Sequence, residues 1–201
     1  MIRDLCAIRH LFALEETAET GDKGRPLDKN ASAALVEKLK YWLRGRGIKI
    51  GEIATSGVRR ANESAWEIVG GITDIVEVHS LYDSLDPVLQ KSYGELFKRV
   101  DGQEFGEGTN IPKSYIIHQS EAGEGSARAD EMANDLKVEI ARRPRLNFLV
   151  GHDPDLELAL FALFGRFQEF LKYLRAGQGW YIRFDDQTYQ ILLHEFIDPY
   201  A

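Results

Sequence analysis

Three short segments place arginine or histidine side chains directly after apolar runs. Arg9 and His10 follow the first run, Arg60 lies in a second segment that begins at Thr55, and His152 follows a third run. A guanidinium offers a rigid fork of donors that matches phosphoryl oxygens, and an unprotonated imidazole nitrogen can attack phosphorus. Two arginines and two histidines at one place would therefore form a phosphate site that carries its own nucleophile.

The elements that must position these residues alternate between strand and helix patterns. Apolar runs of strand length lie at residues 5–8, 48–55, 75–81, 146–150, 180–184 and 189–196, and helical periodicity at 27–44, 59–69, 87–100, 126–142 and 154–164. This order predicts an α/β fold with three layers. A mostly parallel central sheet would carry helices on both faces and an antiparallel hairpin at its C-terminal end, turning at residues 185–187.

The predicted sheet also explains why distant residues would form one site. In open α/β sheets, ligands bind beyond the carboxyl ends of the strands. Arg9, His10, Ser56 and His152 all follow strand patterns directly. We therefore expect these four side chains to converge at one edge of the sheet.

Length and composition favour one domain. The chain has 201 residues, of which 44% are hydrophobic and 28% charged, which is ordinary for a globular protein. Residues 101–125 are rich in glycine and polar side chains, so they are interpreted as a loop-rich excursion inserted into a domain that spans residues 1–201.

The charge balance excludes some partners. A net charge of −7 disfavours nucleic acid and anionic membranes as partners, so an anionic substrate has to be attracted by a local cationic pocket. Cys6 is the single cysteine and lies in an apolar run, which indicates a buried thiol in a reducing compartment. With no signal-peptide pattern at Met1 and no apolar stretch long enough to span a bilayer, a cytoplasmic protein is expected. The sequence predicts no oligomeric state.

The three segments resemble the signatures of the histidine phosphatase superfamily, also called the phosphoglycerate mutase-like superfamily. Residues 8–10 (Ile-Arg-His) are similar to its Arg-His signature, residues 55–61 (TSGVRRA) to its Thr-Ser-Pro-x-x-Arg-Ala motif, and residues 150–154 (VGHDP) to Val-Gly-His-Asn-Pro. Residues 25–27 (Arg-Pro-Leu) resemble the segment before the first helix in the small bacterial phosphohistidine phosphatases. The resemblance covers most of the chain and leaves out residues 101–125.

The resemblance implies a role for each matching residue. His10 would be the nucleophile and become phosphorylated, and Arg9, Arg60 and His152 would complete the phosphate pocket without a metal or another cofactor. Phosphoryl transfer requires mainly positioning and stabilisation of charge on the equatorial oxygens, which two guanidinium groups supply. His10 must be neutral at its attacking nitrogen, whereas His152 is expected to carry a proton and donate to the phosphoryl group. Arg59 competes with Arg60 for the pocket role, and the motif register favours Arg60.

Three positions depart from the family pattern. Leu11 stands where the family usually has glycine, and its side chain could narrow the pocket or shift the loop. Gly57 replaces the common proline, which would loosen the turn. Asp153 replaces asparagine and would add negative charge near the site, unless it caps the following helix.

The general acid that protonates the leaving oxygen is expected after the third strand. Asp83 is preferred there, because Asp86 precedes a proline and suits a helix cap. Glu121 or Glu124 of the excursion could serve instead. A good leaving group such as the imidazole of a phosphohistidine needs a strong acid less.

These observations favour a phosphatase acting on a phosphomonoester or a protein phosphohistidine through a phosphohistidine intermediate. The alternative is a phosphate- or phosphopeptide-binding module of the same fold that has lost turnover. A phosphoglycerate mutase-type phosphotransferase is less favoured, because residues 11–16 (LFALEE) lack the polar signature of that branch. His79, His118 and His194 show no metal-ligand spacing, so no metal site is expected.

Overall fold

The structure is a computed structural model and describes residues 1–15, 17, 21–71, 74–82, 123–152, 155–171 and 174–201. Its centre is a six-stranded sheet with the spatial order β3-β2-β4-β1-β5-β6. The strands are β1 (Ile2–Arg9), β2 (Glu52–Thr55), β3 (Ile75–Glu77), β4 (Leu146–Gly151), β5 (Gly179–Asp185) and β6 (Ile191–Ile197).

Helices follow the strands in the predicted order. They are α1 (Gly21–Gly24), α2 (Lys29–Gly45), α3 (Arg59–Val69), α4 (Gly123–Arg142) and α5 (Asp155–Leu163), with short 3₁₀ helices at His79–Tyr82 and Gln168–Phe170. The carboxylate of Asp28 caps α2 by accepting a hydrogen bond from the Ala31 amide at 3.0 Å. Among the described helices, none is long and apolar enough to cross a membrane.

The sheet is parallel except at its C-terminal hairpin. Strand β4 pairs in parallel with both β1 and β2, and β2 pairs in parallel with β3. Strand β5 lies antiparallel between β1 and β6. The predicted α/β class, with a mostly parallel sheet and an antiparallel C-terminal hairpin, is confirmed.

Helices cover both faces, which explains the uninterrupted apolar runs of β1 and β4. One apolar cluster joins α2 and α3 to the face that carries Cys6 and Ile8, and the other joins α4 and α5 to the face that carries Leu5 and Ala7. The thiol of Cys6 is buried, and its burial raises its pKa to about 12. A thiol with that pKa is inert at neutral pH, as expected for a core residue.

Two predicted strands are shorter than their apolar runs. Strand β2 begins at Glu52 rather than at residue 48, because Gly51 lies against the Arg145 backbone and gives its amide to the Asn147 side chain at 2.8 Å. Strand β3 ends at Glu77, after which the chain turns into a 3₁₀ helix. Helix α4 begins three residues earlier than predicted. The predicted helix at 87–100 and most of the 101–125 excursion lie outside the described residues.

Candidate active site

Three neighbouring parallel strands deliver the predicted residues to one edge of the sheet. Arg9 ends β1 and His10 follows it, His152 follows β4, and Ser56 follows β2. Arg60 lies in the first turn of α3, five residues beyond the end of β2. Because β1, β4 and β2 are adjacent and parallel, their carboxyl ends meet there.

Arg60 lies between the two histidines. Its Nε donates to Nε2 of His10 at 3.2 Å, and its Nη2 lies 3.3 Å from Nδ1 of His152. The two imidazole centroids are 4.7 Å apart, and Arg60 is only 5% exposed. The structure therefore brings a buried guanidinium and two imidazoles into direct contact.

The neighbouring Arg59 takes a different position. Its side chain is exposed, and its Nε donates to Oε1 of Glu63, one turn along α3, at 2.7 Å. Between the two arginines that competed for the pocket, the structure thus places Arg60 at the histidines and Arg59 on the surface.

The contacts of His10 determine its tautomer. Its Nδ1 lies 2.5 Å from the carbonyl oxygen of Leu11, which can only accept, so Nδ1 carries the hydrogen. Its Nε2 faces Nε of Arg60, which can only donate, so Nε2 is unprotonated. The acceptor that holds the tautomer, which the sequence did not identify, is thus the backbone of the next residue.

His152 takes the opposite tautomer. Its Nδ1 faces the donor Nη2 of Arg60, and its Nε2 lies 2.8 Å from Oγ of Ser56. The neutral ring therefore carries its hydrogen on Nε2 and donates it to Ser56. The two histidines present lone pairs to the same guanidinium, and each is anchored on its far side.

Both imidazoles are neutral in this structure. Burial, followed by the nearby charge of Arg9, lowers the pKa of His10 to about 3. Burial lowers the pKa of His152 even further, with His10 and Arg60 adding to the effect. A second cation beside Arg60 would be both desolvated and repelled, and the expected proton on His152 stays a prediction for the site with a phosphoryl group bound. The two histidines differ in tautomer and not in charge.

The side chain of Leu11 belongs to the hydrophobic core. It is fully buried in the apolar cluster that includes residues of α2. Gly177, at φ +74°, lies beside it, where an added Cβ would come within 3.3 Å of Leu11 and 3.5 Å of Leu39. The residue that replaces the usual glycine is thus accommodated by a glycine elsewhere.

The turn at Gly57 contains a side-chain hydrogen bond. It adopts φ +76°, which proline cannot adopt, and its amide donates to Oγ1 of Thr55 at 3.2 Å. Oγ1 of Thr55 in turn donates to Oδ1 of Asn62 at 2.5 Å. This loop therefore follows a different backbone path from one built around proline, and it is held by side chains that the sequence did not single out.

Arg9 is held by the segment that precedes β5. Its Nη1 donates to the Leu174 carbonyl at 2.5 Å, its amide to Gln178 at 2.8 Å, and its carbonyl accepts from Gly177 at 3.1 Å. The amide of Leu174 donates to Oε1 of the fully buried Glu157 at 3.2 Å. The C-terminal half of the chain therefore fixes the first arginine of the site.

A cleft of about 510 Å³ opens beside Ser56. Its lining combines basic and acidic side chains from several elements, namely Lys23, Ser56, Gly57, Val58, His79, Ser80, Glu131 and Asp135. The candidate acids Asp83, Asp86 and Glu121 lie outside the described residues, as do Asp153, His118 and the side chain of Glu124. Within the described part of the chain, no three His, Cys, Asp or Glu side chains are grouped as metal ligands.

Sequence reasoning missed two residues that support the site by hydrogen bonds without facing the imidazoles. Ser64 and Leu174 contact the Leu11 amide and the Arg9 guanidinium, respectively. Ser64 lies four residues after Arg60, so the helical period places both on one face of α3, and this spacing was available in the sequence. Leu174 follows no motif, and its role depends on its backbone carbonyl, which any residue would provide.

Comparison with known proteins finds this fold among phosphatases. No family model and no curated protein matches the sequence. The structure is similar to the alpha-ribazole phosphatase from Shigella flexneri, with a TM-score of 0.60, 13% identity, and coverage of 98% of this chain and 97% of that one.

Two further similar structures have other substrates in their names. The phosphoserine phosphatase from Entamoeba histolytica, in complex with 3-phosphoglyceric acid, gives a TM-score of 0.58 and 12% identity over 97% of this chain and 96% of that one. The protein histidine phosphatase SixA, complexed with tungstate, gives a TM-score of 0.58 and 14% identity over 98% of this chain and 97% of that one. Sheet order, flanking helices and these similarities agree, and the chain has a phosphoglycerate mutase-like α/β fold, which it shares with these phosphatases.

Proposed function

We propose that the protein is a metal-independent phosphatase that hydrolyses a phosphomonoester or a protein phosphohistidine through a phosphohistidine intermediate on His10. The observation that carries the proposal is the position of Arg60. Its buried guanidinium faces the lone pair of His10 Nε2 and that of His152 Nδ1 at 3.2 and 3.3 Å. Such a fork beside a neutral, oriented imidazole has the two parts that phosphoryl transfer to histidine requires.

Substrate binding redirects the donors of Arg60. A phosphoryl dianion accepts charge-assisted hydrogen bonds more strongly than a neutral imidazole does, so the guanidinium turns from His10 to the phosphoryl oxygens. Arg9, at the end of β1 next to His10, supplies the second cation. The lone pair of His10 Nε2 then faces phosphorus, while Nδ1–H continues to donate its hydrogen bond to the Leu11 carbonyl.

The reaction then proceeds in two transfers. The lone pair of Nε2 forms a bond to phosphorus, the bond from phosphorus to the leaving oxygen or nitrogen breaks, and the leaving group takes a proton. Water next attacks the phosphohistidine, the N–P bond breaks, and inorganic phosphate and neutral His10 are regenerated. The two guanidinium groups stabilise the charge on the equatorial oxygens in both steps, so neither step requires a metal.

His152 contributes a hydrogen-bond donor. Its Nε2–H donates to Oγ of Ser56, with 2.8 Å between the two heavy atoms, and can donate to a phosphoryl oxygen instead. The burial and cationic surroundings that lower its pKa are partly offset when a dianion binds, since negative charge nearby favours the imidazolium. His152 thus acquires a proton most easily when substrate is bound.

The leaving group determines whether an acid is needed. Asp83 is the proposed acid for a phosphomonoester, because the chain passes along the pocket edge just before it, through Ser80 of the cleft. The imidazole of a phosphohistidine leaves with little assistance, so a phosphohistidine protein would be hydrolysed without Asp83. The ratio of the two activities therefore reports on this carboxylate.

The burial of Leu11 favours turnover over a binding module that has lost activity. Leu11 or a missing general acid could abolish turnover, and of these two causes the burial of the Leu11 side chain in the core argues against the first. Its carbonyl, which any residue would provide, holds the nucleophile.

Hydrolysis of p-nitrophenyl phosphate and of a phosphohistidine peptide, each with excess chelator, tests the proposal. We expect turnover by the wild type and none by His10→Ala, with a ³²P-labelled histidine trapped by acid-free quenching in the wild type only. Turnover that survives in His10→Ala would refute the nucleophile. Absence of turnover combined with thermal stabilisation by inorganic phosphate would instead support the binding module, since a ligand at 100 times its Kd adds about 2.7 kcal/mol. Isomerisation of a phosphoglycerate would favour the mutase-type reaction.

A further inference from the structure

Ser64 links the segment that carries His10 to the segment that carries Arg60. Its Oγ accepts a hydrogen bond from the Leu11 amide at 2.9 Å and donates one to the Arg60 carbonyl at 2.6 Å. Its side chain is fully buried. One hydroxyl thus joins the loop that follows β1 to the first turn of α3, which are the two segments that carry His10 and Arg60.

The contacts of Leu11 make this link important for the nucleophile. Ser64 holds the Leu11 amide, and Nδ1 of His10 donates to the Leu11 carbonyl. The Leu11 side chain is buried in the core. Core packing of this side chain and the hydroxyl of Ser64 on the amide therefore fix the Leu11 carbonyl, which determines the tautomer and ring orientation of His10.

We infer that Ser64 is a positioning residue for the nucleophile. It keeps the Leu11 carbonyl on His10 Nδ1, so that Nε2 stays unprotonated and directed at the Arg60 guanidinium. This inference rests on the proposed function for its catalytic consequence, and on geometry alone for its effect on His10. Ser64 itself touches neither imidazole in the described contacts.

Removing the hydroxyl leaves a buried amide without its acceptor. A buried unsatisfied donor is unfavourable by about 1–3 kcal/mol, so the segment at Leu11 shifts until the amide finds another acceptor. The carbonyl moves with it, because both belong to one residue. A nucleophile misplaced by about 1 Å loses about 100-fold in rate, and this sets the upper limit of the expected effect.

The matched control is Ser32. It is also a buried helical serine, and its Oγ donates to the Phe12 carbonyl at 3.4 Å, one residue beyond Leu11. Ser32→Ala therefore removes an equally buried hydroxyl that contacts the same loop, and it leaves the contacts of Leu11 and Arg60 in place. Ser64→Thr keeps the hydroxyl and serves as the rescue variant.

Steady-state kinetics with p-nitrophenyl phosphate give the first readout. We expect Ser64→Ala to lower kcat by about 10- to 100-fold while KM changes less than about threefold, because the phosphate-binding arginines remain. Ser64→Thr should recover most of the kcat, and Ser32→Ala should stay within about threefold of the wild type. Equal losses of kcat in Ser64→Ala and Ser32→Ala would overturn the inference. If Ser64→Ala does not fold, Ser64→Cys replaces it, because a thiol is a weaker hydrogen-bonding group.

The ¹⁵N chemical shifts of the imidazole nitrogens give a readout that needs no enzymatic activity. We expect a single Nδ1–H tautomer for His10 in the wild type and in Ser32→Ala, and a mixture of tautomers in Ser64→Ala. An unchanged His10 tautomer in Ser64→Ala would overturn the inference even in an active enzyme. A changed tautomer in a protein without phosphatase activity would support the positioning role and refute only the proposed function.

Discussion

Replacing Arg60 tests the core of the proposed chemistry, because this side chain makes two contacts that its neighbour Arg59 does not. Arg60 is 5% exposed and reaches His10 and His152 at 3.2 and 3.3 Å. Arg59 is exposed and pairs with Glu63 at 2.7 Å. The chain thus offers two adjacent arginines on one helix turn, of which only one faces the site.

The expected magnitude follows from the loss of a preorganised donor. Removing one such donor from developing transition-state charge slows a reaction by about 10²- to 10³-fold, or about 2.7–4 kcal/mol. Arg60 presents two donors, Nε and Nη2, so Arg60→Ala is expected at the upper end of that range in kcat/KM. Arg60→Lys keeps the charge but offers one compact ammonium in place of a planar fork, and we expect only partial recovery.

Arg59→Ala is the matched control. It removes the same charge from the same turn of α3, together with an exposed ion pair of about 0.3–0.5 kcal/mol. We expect its kcat/KM for p-nitrophenyl phosphate to stay within about threefold of the wild type. Comparable losses in Arg59→Ala and Arg60→Ala would show that the arginines act through overall charge, and the proposed geometry would then be incorrect.

Two further predictions concern the groups around the nucleophile. Because burial lowers the pKa of His10 to about 3, unfolding takes up a proton between about pH 6.5 and 3. The free energy of unfolding should therefore fall by about 1.4 kcal/mol per pH unit for this group as the pH drops through that window. Chemical denaturation of His10→Gln should show a shallower dependence of that free energy on pH. Gly177→Ala should destabilise the protein more than Gly70→Ala. Both glycines have φ above +70°, which strains alanine by about 1–2 kcal/mol, but only at Gly177 would the added Cβ meet Leu11, at 3.3 Å. Equal melting temperatures for the two variants would contradict the packing argument.

The fold could be predicted because its signals are local. Strand β1 is continuously apolar from Leu5 to Ile8 and buried on both faces, as a central strand of a sheet covered on both sides requires. Helix α3 begins and ends at the predicted residues, with the left-handed Gly70 at its C-terminal end. Boundaries failed where tertiary contacts decide them, as at Gly51, where the backbone of another segment keeps the chain from pairing.

The sequence indicated which side chains of the candidate site come together but not their tautomers. Motif spacing and strand ends indicated Arg9, His10, Arg60 and His152, and the structure brings Arg60 and the two histidines into contact. The lowered pKa of His152 in the ligand-free chain could not be predicted, because it depends on burial and on neighbouring charges that motif spacing does not contain. The role of Leu11 was obscured for a similar reason, since its backbone acts in the site while its side chain packs in the core.

The neutral histidines give the pocket a defined electrostatic state. The chain as a whole carries −7, so in the proposed reaction an anionic substrate has to be attracted by local cations such as Arg9 and Arg60. If His10 were protonated, it would have no lone pair for attack on phosphorus. In the proposed reaction, the same burial that strengthens the arginines therefore keeps the lone pair of His10 free, and a bound dianion would favour a proton on His152.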